Sequence, residues 1–364
     1  MEKFILKNFT LIRVLIAILI GVLISIVLIF LISTTPGESL KYFFTGQLLS
    51  KSRLSNIFEM AAPMILCGVA ISIAFQAEQF NVGAEGAFFI SAAVGTAFAV
   101  STHMPVYLHI PLILLVSAVT GALWGAIPGL LKAKLGASEL VASLMMNYIA
   151  YYLALFLINY YFRDKSAGFL VSLKLPETAW YPQFLKGTRI HLGVVISLLF
   201  AVGGYFYLYH TTSGLQIRLT GYNQKFARFG GINITKVIIF SQVLSGAIAG
   251  IAGSGEVMGI HHRFTWQLLP GYGWDGVIVA IIGRNHPLLV IPASLFLAYL
   301  RVGGQVLNLM ADVPSELVAV IQSAIILLIT AEAFLGQWRY RITRREAERE
   351  EALLQAGKGE AVNE

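Results

Sequence analysis

The chain has 364 residues, 57% hydrophobic and only 12% charged, with a mean hydropathy of +0.74 and a formal net charge of +7. Water-soluble domains carry roughly 25% charged residues, so this chain lacks the polar surface to cover itself and belongs in a membrane. Its one cysteine, Cys67, excludes an internal disulfide and a cysteine metal cluster. The basic residues gather in loops and near the C-terminus, which membrane topology explains better than nucleic-acid binding.

Lys3, Lys7 and Arg13 precede an apolar run over 14–32. That run is longer than a signal-peptide core and no small-x-small cleavage site follows it, so it reads as a retained first span. About 20 apolar residues cross the hydrocarbon core as a helix. By that measure further spans are expected at 60–75, 84–100, 106–131, 138–161, 192–209 and 237–259, then a broken segment near 264–283, then 288–309 and 315–334. The loop 162–191, with Pro176, Trp180, Tyr181 and Pro182, is expected to pack as a small outer cap. The loop 211–236 is the largest inner one, and its glycine breaks predict one short helix over 223–229. A transmembrane domain is expected to run over 1–338, followed by a charged cytoplasmic tail, 339–364, that anchors the topology. With the N-terminus inside, 16 of the 26 Lys and Arg residues fall on the inner side, so both termini are expected to be cytoplasmic.

Three echoes recur in the same order. Gly68, Ile73, Ala74 and Glu78 line up with Gly246, Ile251, Ala252 and Glu256. Gly83-Ala84-Glu85-Gly86 matches Gly273-Trp274-Asp275-Gly276, and Ser138-Glu139-Leu140-Val141-Ala142 matches Ser315-Glu316-Leu317-Val318-Ala319. The fold class expected is therefore all-α and polytopic, about ten transmembrane helices in two repeats, 14–161 and 192–334. Five spans per repeat is an odd number, so the repeats insert upside down relative to each other, and interrupted apolar segments at matching positions point to a transport path between them.

Glu85 and Asp275 each stand at the start of an apolar stretch too short to span alone, so irregular backbone enters the membrane depth, where protein or a water-filled cavity must satisfy it. Two readings stay open: the acids cap half-helices, or they border the permeation path. Ser138 and Ser315 look like N-caps, with Glu139 and Glu316 in the first turn. Glu78 and Glu256 are secondary lining candidates, and Asn147 is an interhelical hydrogen-bonding group or a pathway group. The adjacent His261 and His262 are poorly spaced for a metal. In the inner loop, Phe226 and Phe229 with Lys225 and Arg228 make either a lipid-surface turn or a docking knob for a cytoplasmic partner. No Gly-x-x-x-x-Gly-Lys-Ser/Thr sequence occurs, so the chain carries no Walker-type nucleotide site of its own.

Phe80-Asn81-Val82-Gly83-Ala84-Glu85-Gly86, Met145-Met146-Asn147-Tyr148-Ile149-Ala150, Gly221-Tyr222-Asn223 with Ala227 and Gly231-Ile232, Gly271-Tyr272-Gly273-Trp274-Asp275-Gly276 and Val313-Pro314-Ser315-Glu316 together carry a resemblance. Over roughly 10–335 the chain resembles permease subunits of bacterial ATP-binding-cassette importers of the branched-chain amino acid and ribose superfamily, nearest the nucleoside and simple-sugar permeases. One departure is Ala87, where the family usually has Gln. The resemblance implies a non-enzymatic subunit of the bacterial inner membrane with no cofactor of its own, ATP and Mg binding to a partner ATPase. It also implies a second permease subunit, identical or homologous, and an extracytoplasmic substrate-binding lipoprotein. The pathway residues expected are Phe80, Asn81, Glu85, Asn147, Tyr272, Trp274 and Asp275. Those of the ATPase-coupling loop are Gly221, Tyr222, Asn223, Phe226, Ala227 and Arg228. The rival reading is a secondary transporter of a small polar solute driven by an ion gradient.

Overall fold

The computed structural model describes residues 35–184 and 187–311, with a few isolated positions in 23–30 and 320–323. The expected first and last spans, the Ser315-Glu316 cap and the charged tail lie outside the described residues. Two compact units are present, one comprising residues 1–46 and 303–364, the other 47–302. Of the first, the continuous described parts are helix α1, Pro36–Thr45, and the end of the last described helix, where Gly46 lies against Val306.

The second unit is all-helical among its described residues. In order it contains α2 (Lys51–Gln76), α3 (Ala84–Ser101), α4 (Val106–Leu135), α5 (Glu139–Tyr161), α6 (Leu192–His210), α7 (Thr212–Tyr222), α8 (Gln224–Phe229), α9 (Ile234–Glu256), α10 (Tyr272–Ile282) and α11 (Pro287–Met310), which continues into the first unit. Seven helices among the described residues are long and apolar enough to cross a membrane, and α10 is an eighth, shorter apolar helix. The chain is a multi-pass membrane protein. Helices α2 and α3 are buried almost all round, whereas α4, α5 and α6 leave a broad apolar side exposed, as lipid-facing helices do.

The inner loop departs from its expected form. It contains two helices, not one, because Thr211 caps α7 by accepting from the Gly214 N–H at 3.0 Å, and Asn223 ends that helix and caps α8 by accepting from Phe226 N–H at 3.0 Å. Helix α4 also runs four residues further than its apolar stretch. Lys132 and Lys134 lie in its last turn beside the exposed carbonyls, and Gly136 at φ +65 closes it.

The segments that the charge distribution places inside meet at one end. Gln76 Nε2 donates to the Asn285 carbonyl at 3.0 Å, Gly221 lies against the Gln76 carbonyl, and Ala133 packs on a cluster of Ala227, Ile234 and Ile238. The expected outer segments meet at the other end, where His109 joins Thr102 (3.1 Å) to Thr178 (2.8 Å) and Arg263 reaches Asp164 (4.0 Å). The loop 162–191 packs on the rest of the unit. Its backbone binds the stretch after α9, with Ser172 N–H to the Phe264 carbonyl, Leu175 N–H to His262 and Tyr181 N–H to Met258. Trp180 stacks on the His262 ring at 4.1 Å. His191, buried at the start of α6, has its pKa pushed down to about 4, first by burial and then by His262. An unfolded histidine titrates near 6.5, so the unfolded chain binds this proton first, and the cap loses stability as pH falls from about 6.5 toward 4.

The core rests on backbone-to-backbone approach. Gly121 and Gly125 of α4 face Gly246 and Gly250 of α9, so that a Cβ on Gly246 would strike the Gly121 carbonyl and one on Gly250 the Ser117 carbonyl. Helices in lipid gain little from hydrophobic burial against each other, and small residues at four-residue spacing replace it with close van der Waals contact. Beside this seam, Ser117 and Ser254 share a 2.5 Å hydrogen bond and Ser254 also donates to the Ser91 carbonyl. Gly246→Ala is expected to cost about 1–3 kcal/mol by overpacking. Gly203→Ala on α6, where no atom lies within 4 Å of the new Cβ, should be neutral or gain about 0.5–1 kcal/mol. Thermal denaturation of the purified variants checks both.

Candidate functional site

Helix α10 begins beside the middle of α2, since Gly276 packs on Cys67 while the far end reaches Asn285, next to Gln76. Its first turn therefore opens inside the packed helices with backbone N–H groups that no preceding turn satisfies. The answer comes from a distant part of the chain. Glu85, fully buried in the first turn of α3, accepts from the Gly271 N–H at 2.6 Å and from the Gly273 N–H at 2.5 Å. Glycine is required at both donors for separate reasons. Gly271 holds φ +87, a left-handed conformation that side chains resist, and a Cβ on Gly273 would strike the Glu85 backbone. Glu85 thus caps the start of a short helix, but not of its own helix.

The start of α3 is satisfied by different groups. Asn81 accepts from Gly83 N–H at 2.7 Å. Asn147, from α5, accepts from Gly86 N–H at 2.8 Å and donates to the Val82 carbonyl at 3.1 Å. Both asparagines are buried and hold the turn that delivers Glu85.

Asp275, one turn into α10, is buried and ion-paired with Arg301 of α11 at 2.5 Å, the Arg301 side chain remaining about one-third exposed. Tyr272 donates to Glu256 Oε1 at 3.0 Å, and Glu256 ends α9 where the helix widens into a π-turn, Val257–His261. The Arg301 guanidinium lies within electrostatic reach of Glu85 and Tyr272. Around these polar groups stand rings, with Phe88 against both Tyr272 (5.4 Å) and Trp266 (5.5 Å) and Phe264 against Trp266 (5.5 Å). Trp274 is 45% exposed. Asp275 Oδ2 and Glu256 Oε2 are buried acceptors with no hydrogen-bond partner among the described residues.

The structure therefore brings Glu85, Tyr272, Trp274 and Asp275 together, with Asn81 and Asn147 supporting them. Phe80 stands apart, exposed and stacked on Phe75 at 5.0 Å. The two echoed acids are not equivalent, one serving backbone amides and the other a guanidinium. Glu78 and Glu256 differ more, the first exposed at φ +57 on the loop after α2, the second buried in the site. Glu139 forms an ion pair with Lys132 at 2.8 Å, and Ser138 caps α5 as its spacing suggested. Arg301 escaped the sequence reading, although a lone cation within an apolar run is itself a signal. A cavity of about 420 Å³ between α2, α6 and α9, walled by Ile73, Leu199, Tyr207 and Ile248, contains none of these residues.

In the inner loop, Tyr222 and Phe229 are almost fully exposed and Phe226 and Arg228 are exposed beside them. Ala227 points the other way, buried against Ile234 and Ile238. Gly221 lies tightly against the Gln76–Glu78 backbone.

Residues 53–330 match the family described as branched-chain amino acid transport system / permease component. The chain belongs to that family. It is 35% identical over 277 residues to the guanosine ABC transporter permease protein NupP of Bacillus subtilis, covering 74% of this chain and 78% of that one. It is 32% identical over 323 residues to the glucose ABC transporter permease protein TsgB13 of Haloferax volcanii, covering 85% and 84%. The nucleoside ABC transporter permease protein NupB of Lactococcus lactis is 28% identical over 299 residues, covering 79% and 82%. No solved structure matches the chain.

Arg301→Met strands the Asp275 carboxylate and is expected to cost about 1–3 kcal/mol, less than breaking a fully buried pair because Arg301 is partly exposed. Adding Asp275→Asn to that variant removes the stranded charge and should restore much of the loss, measured as melting temperature of the purified protein.

Proposed function

We propose that the chain is the membrane permease subunit of an ATP-driven importer that moves a nucleoside or simple sugar inward. The observation that carries this reading is a broken helix starting at membrane depth, its amides held by Glu85 and its first turn lined by Tyr272, Trp274 and Asp275. Irregular backbone survives at that depth only where protein or water satisfies it, and such breaks mark binding sites in transporters. Family membership and relatives named for guanosine, glucose and nucleosides support the cargo class. Uncharged polyols suit free carboxylate acceptors beside aromatic rings.

The wider architecture in this reading is ten spans in two inverted repeats, with 14–32 and 315–334 completing the set and both termini cytoplasmic. Packing between the proposed repeats supports it, α3 on α9 of the second and the short α10 on α2 of the first. ATP hydrolysis resides in a partner chain docked on the inner loop, a second permease completes the path, and an extracytoplasmic lipoprotein delivers the solute.

Three measurements test this. In proteoliposomes containing the assembled transporter, isosteric Glu85→Gln and Asp275→Asn should cut uptake at least tenfold while Glu139→Gln largely keeps it. Uptake that collapses with a protonophore while ATP stays high would instead show ion coupling. Phe229→Asp, on the exposed face of α8, should abolish solute-stimulated ATP hydrolysis with the protein still folded. Ala227→Asp should instead unseat the loop, because it buries a charge against Ile234 and Ile238. Finally, single cysteines at Lys225 and Lys174, in a Cys67→Ala background, should label from opposite sides with an impermeant maleimide.

A further inference from the structure

Half-helix N-termini and arginines are the two features with which a membrane path ordinarily holds an anion. Both are present here, and both are already filled by this chain's own carboxylates. The Gly271 and Gly273 amides at the start of α10 hold Glu85, and Arg301 holds Asp275. What remains open is of the opposite kind. Asp275 Oδ2 and Glu256 Oε2 are acceptors without partners among the described residues, each on a side chain more than nine-tenths buried. Glu59 adds a further buried carboxylate within electrostatic reach of Glu256 and Tyr272.

We propose that Glu85 acts as a built-in anionic ligand of the α10 half-helix and thereby sets the specificity of the path for uncharged hydroxyl donors, excluding phosphorylated and carboxylated solutes. The proposal rests on the transport reading above and adds the residue that enforces the charge filter. An anionic cargo arriving at α10 would have to displace a carboxylate already held by two N–H groups. A nucleoside or neutral sugar meets no such competition, and its hydroxyls donate to the two vacant acceptor oxygens. The filter is specific to charge and blind to the identity of the sugar or base.

Glu85→Ala in the assembled transporter empties the amide pair and leaves room for a small carboxylate. Melting temperature and ATP-driven uptake are then measured with and without acetate, using acetamide as the neutral control. Acetate should raise the variant's melting temperature and recover most of an uptake loss of about tenfold or more, while wild type responds to neither compound. Equal recovery by acetamide, or no response of the variant to acetate, overturns the assignment. The filter itself is read by inhibition with the monophosphate of the transported solute. Wild type should resist it, the alanine variant should be inhibited, and acetate should relieve that inhibition. Equal inhibition of wild type and variant overturns the filter. If Glu85→Ala does not assemble, Glu85→Ser, which also empties the amide pair, carries the acetate and monophosphate comparisons on the same terms. A wild-type transporter that moves neither nucleosides nor sugars would sink the cargo reading, whereas the acetate effect on melting temperature would still report on the carboxylate site.

Discussion

Everything at the centre of this molecule follows from one constraint: backbone amides at the start of a buried helix must find a partner. A helix that begins inside the packed helical core, as α10 does, presents unsatisfied N–H groups where each costs several kcal/mol. The chain answers with a carboxylate from a distant helix, and the remaining features of the site arrange themselves around that choice. Asn81 and Asn147 shape the turn that carries Glu85, and Gly271 and Gly273 let the donors come close enough. Because the Arg301 guanidinium lies within electrostatic reach of Glu85, the Arg301–Asp275 pair next to it is part of one electrostatic unit.

The helices divide the work accordingly. The seam of Gly121, Gly125, Gly246 and Gly250 locks α4 to α9 by shape alone, leaving polar interactions free for the site. Helices α4, α5 and α6 turn apolar sides outward, and α2 and α3 carry the polar groups inward. At the two ends, different chemistry takes over: hydrogen bonds from the cap to the stretch after α9 on one side, and a small apolar cluster seating α8 on the other.

Much of this was legible in the chain. Span positions follow from runs of apolar residues, and the described spans depart from expectation mainly at their polar ends, as α4 does beyond residue 131. The paired acids announced themselves because charges are rare in such runs. Their partners did not, since nothing local links Glu85 to amides 186 and 188 positions away. Arg301 was in plain view in an apolar segment but carried no echo in the other half. Ala227 looked like part of a docking face, and only its packing against Ile234 and Ile238 shows that it seats the loop, leaving Tyr222, Phe226 and Phe229 as the surface. Alignment of Glu78 with Glu256 misled because the same letter stands on an exposed left-handed turn in one half and inside the site in the other.

The reach of the Glu85 contact also bears on how the protein is made. Its carboxylate leaves the ribosome 186 residues before the first amide that will hold it. The contact cannot form until α10 has been made, so α3 is synthesised with that carboxylate still lacking its backbone partners. The earlier stretch on its own is an unfinished object, and completing the later stretch is what satisfies it. The order of synthesis thus leaves the start of α3 waiting on the start of α10.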